Sequence, residues 1–503
     1  MQIEELDVLI IGAGVSGIGM ACRLKAECPD KRFAILERRQ RIGGTWDLFR
    51  YPGVRSDSDM FTYAYRFRPW HDSKVLAAGD TIRGYLADTA RAYGVDRHIR
   101  HGLKIQRADW SSAQQRWTVT AVTEPGGPSH SWRCRQLVLG TGYYNYDAGY
   151  LPDLPGIENY TGTRVHPQQW PEGLDCRGRR VVVVGSGATA VTLVPALAEA
   201  GARVTMLQRS PTYMVSLPSR DKLGEWLGRL LPSRWAAGLA RKRYELVSRA
   251  LFQACRRWPQ RMRALLLGQV RRHLGGSADM RHFTPSYRPW DQRLCVVPDA
   301  DLFRAVRSGQ AEVVTDHIAG FDGTTLRLAS GRLLQADVLV TATGLDVQVL
   351  GGMQVFVDGQ AYAPQRHMLY KGVLFEDLPN FAWIVGYTNA SWTLKADLAF
   401  DYLCRLYKHM DQRGLAVATP HDGRGCRLDG ESIFGGLSSG YVVRAAERMP
   451  RQGREQPWRV THHFPTDRRM LQDEPIDDGV LRFVPRASEA ARDHNVTPLR
   501  RAA

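Results

Sequence analysis

The apolar positions of this chain fall into two matching sets. VLIIGAGVSG at residues 8–17 and VVVVGSGATA at 181–190 each set a short, unbroken apolar run ahead of a glycine-rich turn, and a helical spacing of apolar residues follows. Such a run reads as a strand buried on both faces of a parallel sheet, with the helix as its crossover. Both halves also close alike. Alternating stretches with Pro/Gly turns, RWTVTAVTEPGGPSHSWRC (116–134) and IAGFDGTTLRLASGRLLQ (318–335), predict a β-meander in each, and LVLGTG (137–142) and VLVTATG (338–344) end them on a buried strand.

The predicted fold is α/β, with two Rossmann-like dinucleotide-binding domains carrying β-meanders. The first spans residues 1–145 and the second 176–345, with 146–175, rich in Pro, Gly, Tyr and Asp, as the inter-domain linker. GVLFEDLPNFAWIVGYTNASWTLKADLAFDYLCRL then supplies a strand and a long helix, so 346–485 is expected to complete the first domain and face the substrate. Residues 486–503 read as a flexible, Ala/Arg-rich tail.

A length of 503 residues suits this division, and 44% hydrophobic with 24% charged residues is the composition of a soluble globular protein. No run of about 18 apolar residues occurs, and MQIEEL carries acids where a secretory signal is basic, so a cytoplasmic enzyme is expected. The eight cysteines are scattered without C-x-x-C pairs or zinc spacing, which predicts reduced, structural thiols and no metal.

Charge changes the picture in one region. Residues 220–272 hold 14 Arg and Lys against three Asp and Glu, most of the net +17. They lie in a predicted helical insertion, about 217–280, of basic amphipathic helices with Leu, Trp and Phe opposite the charges. Such helices either cover their own domain or make peripheral contact with the inner membrane surface. Nucleic acid is not an expected partner, since no reader motif accompanies the charge.

The glycine turns carry the chemistry. In the first, Gly12 permits a tight turn, Gly14 lets backbone approach a pyrophosphate, and Gly17 lets helix and strand pack closely. The next strand, FAILE, ends in Glu37, an acid suited to ribose hydroxyls and repulsive to a 2′-phosphate, so FAD is the expected ligand. Gly44, Thr45 and Trp46 follow in a loop expected over the cofactor. In the second turn Gly185, Gly187, Ala188, Thr189 and Ala190 take the same positions, but VTMLQRS ends in Arg209 and Ser210. An arginine there pairs with a 2′-phosphate, which favours NADPH over NADH. Hydride therefore passes from nicotinamide to flavin. No redox cysteine pair stands ready to take it on, which leaves O2 as the acceptor.

Two further patterns carry a resemblance. YTGTRVHPQQWP (160–171) sets Tyr160, Gly162, His166, Trp170 and Pro171 in the order aromatic, x-G-x-x-x-H-x-x-x-W-P, and GGTWDLFRYPGVRSD (43–57) matches G-G-x-W-x-x-x-x-Y-P-G-x-x-x-D. With both glycine turns in order, the chain up to about residue 485 resembles the class B flavoprotein monooxygenases, specifically the Baeyer-Villiger monooxygenases. The tyrosine stands where the family has phenylalanine. The resemblance implies FAD reduced by NADPH, a C4a-peroxyflavin formed with O2, and conversion of ketones to esters or lactones, with oxygenation of sulfides or thioamides besides. It implies that Arg293, in RPWDQRLC, is the active-site cation and Asp57 the carboxylate that orients it. Asn389, with Trp392 in TNASWT, falls where related flavoproteins contact flavin and substrate. Asp57 also reads as an N-cap for a helix from Ser58, and His166 as a hinge residue rather than a base. Two other readings stay open: an N- or S-oxygenase using a hydroperoxyflavin, and a non-catalytic dinucleotide-binding or membrane-scaffold protein.

Overall fold

The computed structural model describes residues 3–486. All but the first residue of the expected tail lies outside the described residues. Two sheets organise the chain. In the first, Glu4–Ile11 lies between Phe33–Leu36 and Ser129–Leu139, parallel to both, with Val8 opposite Phe33 and Leu9 opposite Leu137. Val8, Leu9 and Ile10 have no solvent exposure, which accounts for the unbroken apolar run; each such side chain contributes about 2 kcal/mol by burial. The antiparallel meander Leu103–Ser111, Arg116–Thr123, Ser129–Leu139 extends this sheet. Late segments return to it: Gln354–Val357 pairs with Leu103–Ser111, and Phe381–Trp383 with Ser129–Leu139.

The second sheet is wholly parallel, in the order Ala311–Thr315, Arg203–Gln208, Arg180–Val184, Val338–Thr341, Thr163–Val165. The meander predicted at 318–335 forms a separate three-stranded sheet. Thr163–Val165 corrects an expectation, because the stretch read as linker contributes this edge strand. Three residues are too few to show a period, so only the pairing with Val338–Val340 reveals it.

The insertion comprises the helices Lys222–Leu230, Ser233–Arg257 and Pro259–Leu274. Its long helix packs partly across the domain boundary. Arg241 donates to the carbonyls of Phe61 (3.2 Å) and Ala64 (2.6 Å) and to Asp397 (2.9 Å), and Tyr244 stacks on Phe61 at 4.9 Å. Among the described residues no helix is long and apolar enough to cross a membrane.

Candidate active site

The first glycine turn rests on close backbone packing. Gly12 has φ +99°, and a Cβ on Gly17 would stand 1.8 Å from the Gly12 carbonyl oxygen. Gly14 begins the helix Val15–Glu27 without a side-chain cap, leaving its first N–H groups as donors toward an anion. Gly44, at φ +55°, comes so near that a Cβ on it would lie 3.0 Å from Gly14 Cα. Two bare backbones therefore face one another in a cradle that side chains would fill, which fits a pyrophosphate. Glu37 is buried; its Oε2 accepts from Ala13 N at 2.6 Å and its Oε1 from Arg39 N at 2.8 Å. Burial raises its pKa, and those two N–H groups oppose the rise.

Gly12, Gly14, Glu37 and Gly44 line one cleft together with Thr45, Trp46, Asp57 and Arg293. Trp46 Nε1 donates to Tyr63 Oη at 2.7 Å, which fixes the indole edge-on in the wall.

Arg293 comes from the turn before the strand Cys295–Pro298 in the second unit, and Asp57 from a loop of the first. Arg293 Nη1 lies 3.8 Å from Asp57 Oδ2. Burial works against the guanidinium charge while the Asp57 carboxylate favours it, and the pKa stands above its ordinary value. Burial raises the pKa of Tyr143, Tyr144 and Tyr441, keeping them as neutral phenols. Asp57 is not the helix cap it was expected to be. Asp59 accepts from Thr62 N at 2.8 Å and caps Met60–Tyr63, so the helix starts two residues later and leaves Asp57 facing Arg293.

Asn389 Nδ2 donates to the His462 carbonyl at 3.0 Å and its Oδ1 is buried without a partner among the described residues, while its neighbours Ala390 and Trp392 line the cleft. Trp392 Nε1 donates to Ser16 Oγ at 2.8 Å, tying the last long helix to the first glycine turn.

The second glycine turn is exposed. Gly185 has φ +140°, and a Cβ there would lie 2.3 Å from the Ala342 carbonyl oxygen. Gly187 begins the helix Ala188–Glu199 uncapped, and a Cβ on it would meet no atom within 4 Å. Ala190 is buried, while Ala188, Arg209 and Ser210 face solvent and Thr189 is half-buried. Ser186 Oγ donates to the Ser210 carbonyl at 2.9 Å, which joins the turn to the end of Arg203–Gln208. Arg444, absent from the sequence expectation, stands near enough to repel Arg209, and its guanidinium lies 3.4 Å from the Tyr150 ring centre. Its segment is remote in sequence and carries no motif.

The two long patterns serve the joint between the units. Residues 143–150 and 343–348 run antiparallel as a ribbon, with Asn145 N donating to Asp346 O at 2.9 Å and Thr343 Oγ1 to Tyr150 O at 2.7 Å. His166 sits against this ribbon. Its Nε2 is 3.3 Å from Gly344 O, its Nδ1 accepts from Gln168 N at 3.2 Å, and a Cβ on Gly149 would lie 1.9 Å from its ring. Burial lowers its pKa, so the ring is neutral with its hydrogen on Nε2. Gln168, unremarked in the sequence, is buried and donates to Asn145 O at 2.7 Å. Tyr160 Oη donates to Ala336 O at 2.9 Å, and a Cβ on Gly162 would lie 2.4 Å from that hydroxyl. Trp170 is half-buried against the second core, and Pro171 is exposed. The other pattern crosses the boundary: Gly44, Thr45 and Trp46 line the cleft, while Tyr51 packs in the second core and Gly53 sits so close that a Cβ would be 2.7 Å from Ala196 Cβ.

Two dinucleotide folds, one cleft at the first glycine turn and an arginine-carboxylate pair shared between the units define an oxidoreductase built to bring two cofactors to one site. Residues 6–231 match the family described as pyridine nucleotide-disulphide oxidoreductase. MymA of Mycobacterium tuberculosis is 58% identical over 98% of this chain and 99% of its own. The FAD-containing monooxygenase EthA of the same organism is 50% identical over 96% and 98%. The chain belongs to this family of FAD-containing monooxygenases and is an enzyme. Among solved structures, an oxidised steroid monooxygenase bound to NADP matches with a TM-score of 0.75 at 21% identity, over 96% of this chain and 100% of that one. A closed cyclohexanone monooxygenase matches with a TM-score of 0.69 at 21% identity, over 84% and 87%; both share the fold.

Proposed function

We propose that the enzyme is a Baeyer-Villiger monooxygenase: ketone, O2, NADPH and a proton give ester or lactone, NADP⁺ and water. Gly12, Gly14, Gly17, Glu37, Gly44, Thr45 and Trp46 hold FAD, and Gly185, Gly187, Ala188, Thr189, Ala190, Arg209 and Ser210 hold NADPH. Reduced flavin, when bound, supplies the activation of O2. The observation that carries the reading is the meeting of Arg293 and Asp57, 3.8 Å apart, in the wall of the flavin cleft.

Arg293 supplies a permanent positive charge where negative charge develops on the attacking and carbonyl oxygens. Asp57 keeps that charge aimed into the cleft, and the neutral rings of Tyr143, Tyr144 and Tyr441 keep water from screening it. Bound flavin would supply one oxygen atom of O2 to the product and release the other as water as the O–O bond breaks, and Arg293 would hold the negative charge on the substrate's carbonyl oxygen while one carbon migrates. No nucleophilic side chain is required. A sulfide or thioamide takes up oxygen in the same cleft without an oxyanion for Arg293 to stabilise.

The test is an NADPH-dependent product screen by mass spectrometry over linear, cyclic and aryl ketones and a thioether, with the wild type and Arg293→Ala. The variant is expected to reduce its flavin normally and to lose ester formation by about 10²–10³-fold. Ester formation at the normal rate removes Arg293 from its role. Sulfoxide without ester from the wild type at every pH sustains the heteroatom-oxygenase reading instead.

A further inference from the structure

The insertion carries a surface that the fold does not use. Among the described residues fifteen large hydrophobic side chains are exposed, and ten of them lie between Leu223 and Leu265, too concentrated for the usual scatter. Leu223, Trp226 and Leu230 are spaced to share one face of Lys222–Leu230, a helix with no buried residue. Trp235, Leu239 and Leu246 recur at i, i+4 and i+11 on Ser233–Arg257, again on one face. Trp226 is 57% exposed and Trp235 63%. The same long helix is held by other residues: Ala237, Ala240 and Cys255 are buried, and Arg241 and Tyr244 grip Phe61, Ala64 and Asp397. The apolar stripe is therefore surplus to folding.

Charge indicates what covers it. Lys222, Arg229, Arg234 and Lys242 are exposed beside the stripe, and none forms an ion pair among the described residues. The Arg234 guanidinium lies 6.0 Å from the Trp235 ring centre. Of the three acids within residues 220–272, Asp221 is engaged with Arg243 and Glu225 with Arg220, which leaves Glu245 against the exposed cations. A second copy would set one strongly basic surface against another, whereas an anionic lipid surface complements both the charge and the apolar stripe.

We propose that this face docks the enzyme on an anionic lipid surface. Trp226, Trp235 and the adjoining leucines enter the boundary between headgroups and acyl chains. Lys222, Arg229, Arg234 and Lys242 lie against the headgroup phosphates. The docking is independent of the oxygenation chemistry proposed above.

The experiment floats purified, FAD-loaded enzyme with vesicles of phosphatidylcholine alone and of equal parts phosphatidylcholine and phosphatidylglycerol. Binding to the anionic vesicles is expected to be at least about tenfold tighter and to weaken with salt. Trp226→Ser with Trp235→Ser, and separately Arg229→Glu with Arg234→Glu, are each expected to lower it about tenfold or more while the flavin absorbance per protein stays unchanged. Equal binding to both vesicle types, no binding to either, or undiminished binding of the tryptophan variant overturns the proposal. So does sedimentation showing that the tryptophan variant converts an oligomer to a monomer, which assigns the face to a second copy.

Discussion

The two glycine turns begin from nearly the same sequence and end in different surroundings. Around Gly12 to Gly17 a second loop closes in, with Gly44 against Gly14 and the Glu37 carboxyl tied to Ala13 and Arg39. In the second turn Gly185 packs on Ala342 and Ala190 is buried, but no second loop covers the middle: Gly187 is exposed with no atom within 4 Å of a Cβ among the described residues, and Arg209 reaches solvent. A turn of this kind settles how backbone meets phosphate, but the cover over it settles how readily the ligand leaves. On the proposed assignment, the first site would retain its dinucleotide and the second exchange it.

The comparison breaks most sharply at two glycines, Gly17 of the first turn and Gly187 of the second. Gly17→Ala forces a Cβ to 1.8 Å from a backbone oxygen, so backbone must shift, and a loss of about 3 kcal/mol or more is expected. The readouts are the flavin-to-protein absorbance ratio, expected to collapse, and the Tm. Gly187→Ala meets open space and should leave Tm and flavin content unchanged while NADPH binding weakens. Equal loss of flavin in both variants would erase the distinction.

Next in size is Arg209→Ala. Losing a charge-assisted contact to a 2′-phosphate costs about 1.5–3 kcal/mol, so KM for NADPH should rise roughly 10- to 100-fold while KM for NADH stays nearly constant. A parallel rise for both nucleotides would assign Arg209 elsewhere, with Arg444 the first alternative.

The smallest effect sits at the joint between the sites. Burial lowers the pKa of His166, so the folded protein holds the neutral ring while the unfolded chain takes up a proton near the ordinary value of about 6.5. The stability it contributes is full above that pH and is lost as pH falls through the folded value. His166→Gln, which still donates to Gly344 O but cannot be protonated, should flatten the decline of Tm between about pH 7 and 5. His367 and His462, also lowered by burial, keep part of the slope. In turnover the same variant should waste NADPH more than it loses flavin, measured as product per NADPH consumed.

Much of this was legible in the residues. The apolar runs, the glycine turns, Glu37 and Arg209 depend on neighbours close in sequence, and the structure has each at the strand end where the pattern put it. Asp57 was legible as a residue but misread as a cap, because Asp57 and Asp59 are equally good caps by type and only the hydrogen bond to Thr62 separates them. The partner of the Asn389 amide was not legible either, since His462 is 73 residues away. Tyr143, Tyr144, Tyr441, Arg444 and Gln168 carried no local signal. They matter through neighbours that the chain brings near only after both sheets have formed.

What the sequence determined alone was the strand-turn-helix units, their order and the chemical type of each cofactor site, because apolar period, glycine conformation and the sign of one side chain are local properties. What only the tertiary structure decided was the assembly across the boundary. Arg293 meets Asp57 there, the second pattern leaves the flavin cleft to pack through Tyr51 and Gly53 on the other unit, and the insertion buries one face and leaves another bare. Amphipathic spacing shows that a helix has an apolar face. Whether that face meets protein or remains exposed depends on which neighbours the completed fold brings to it.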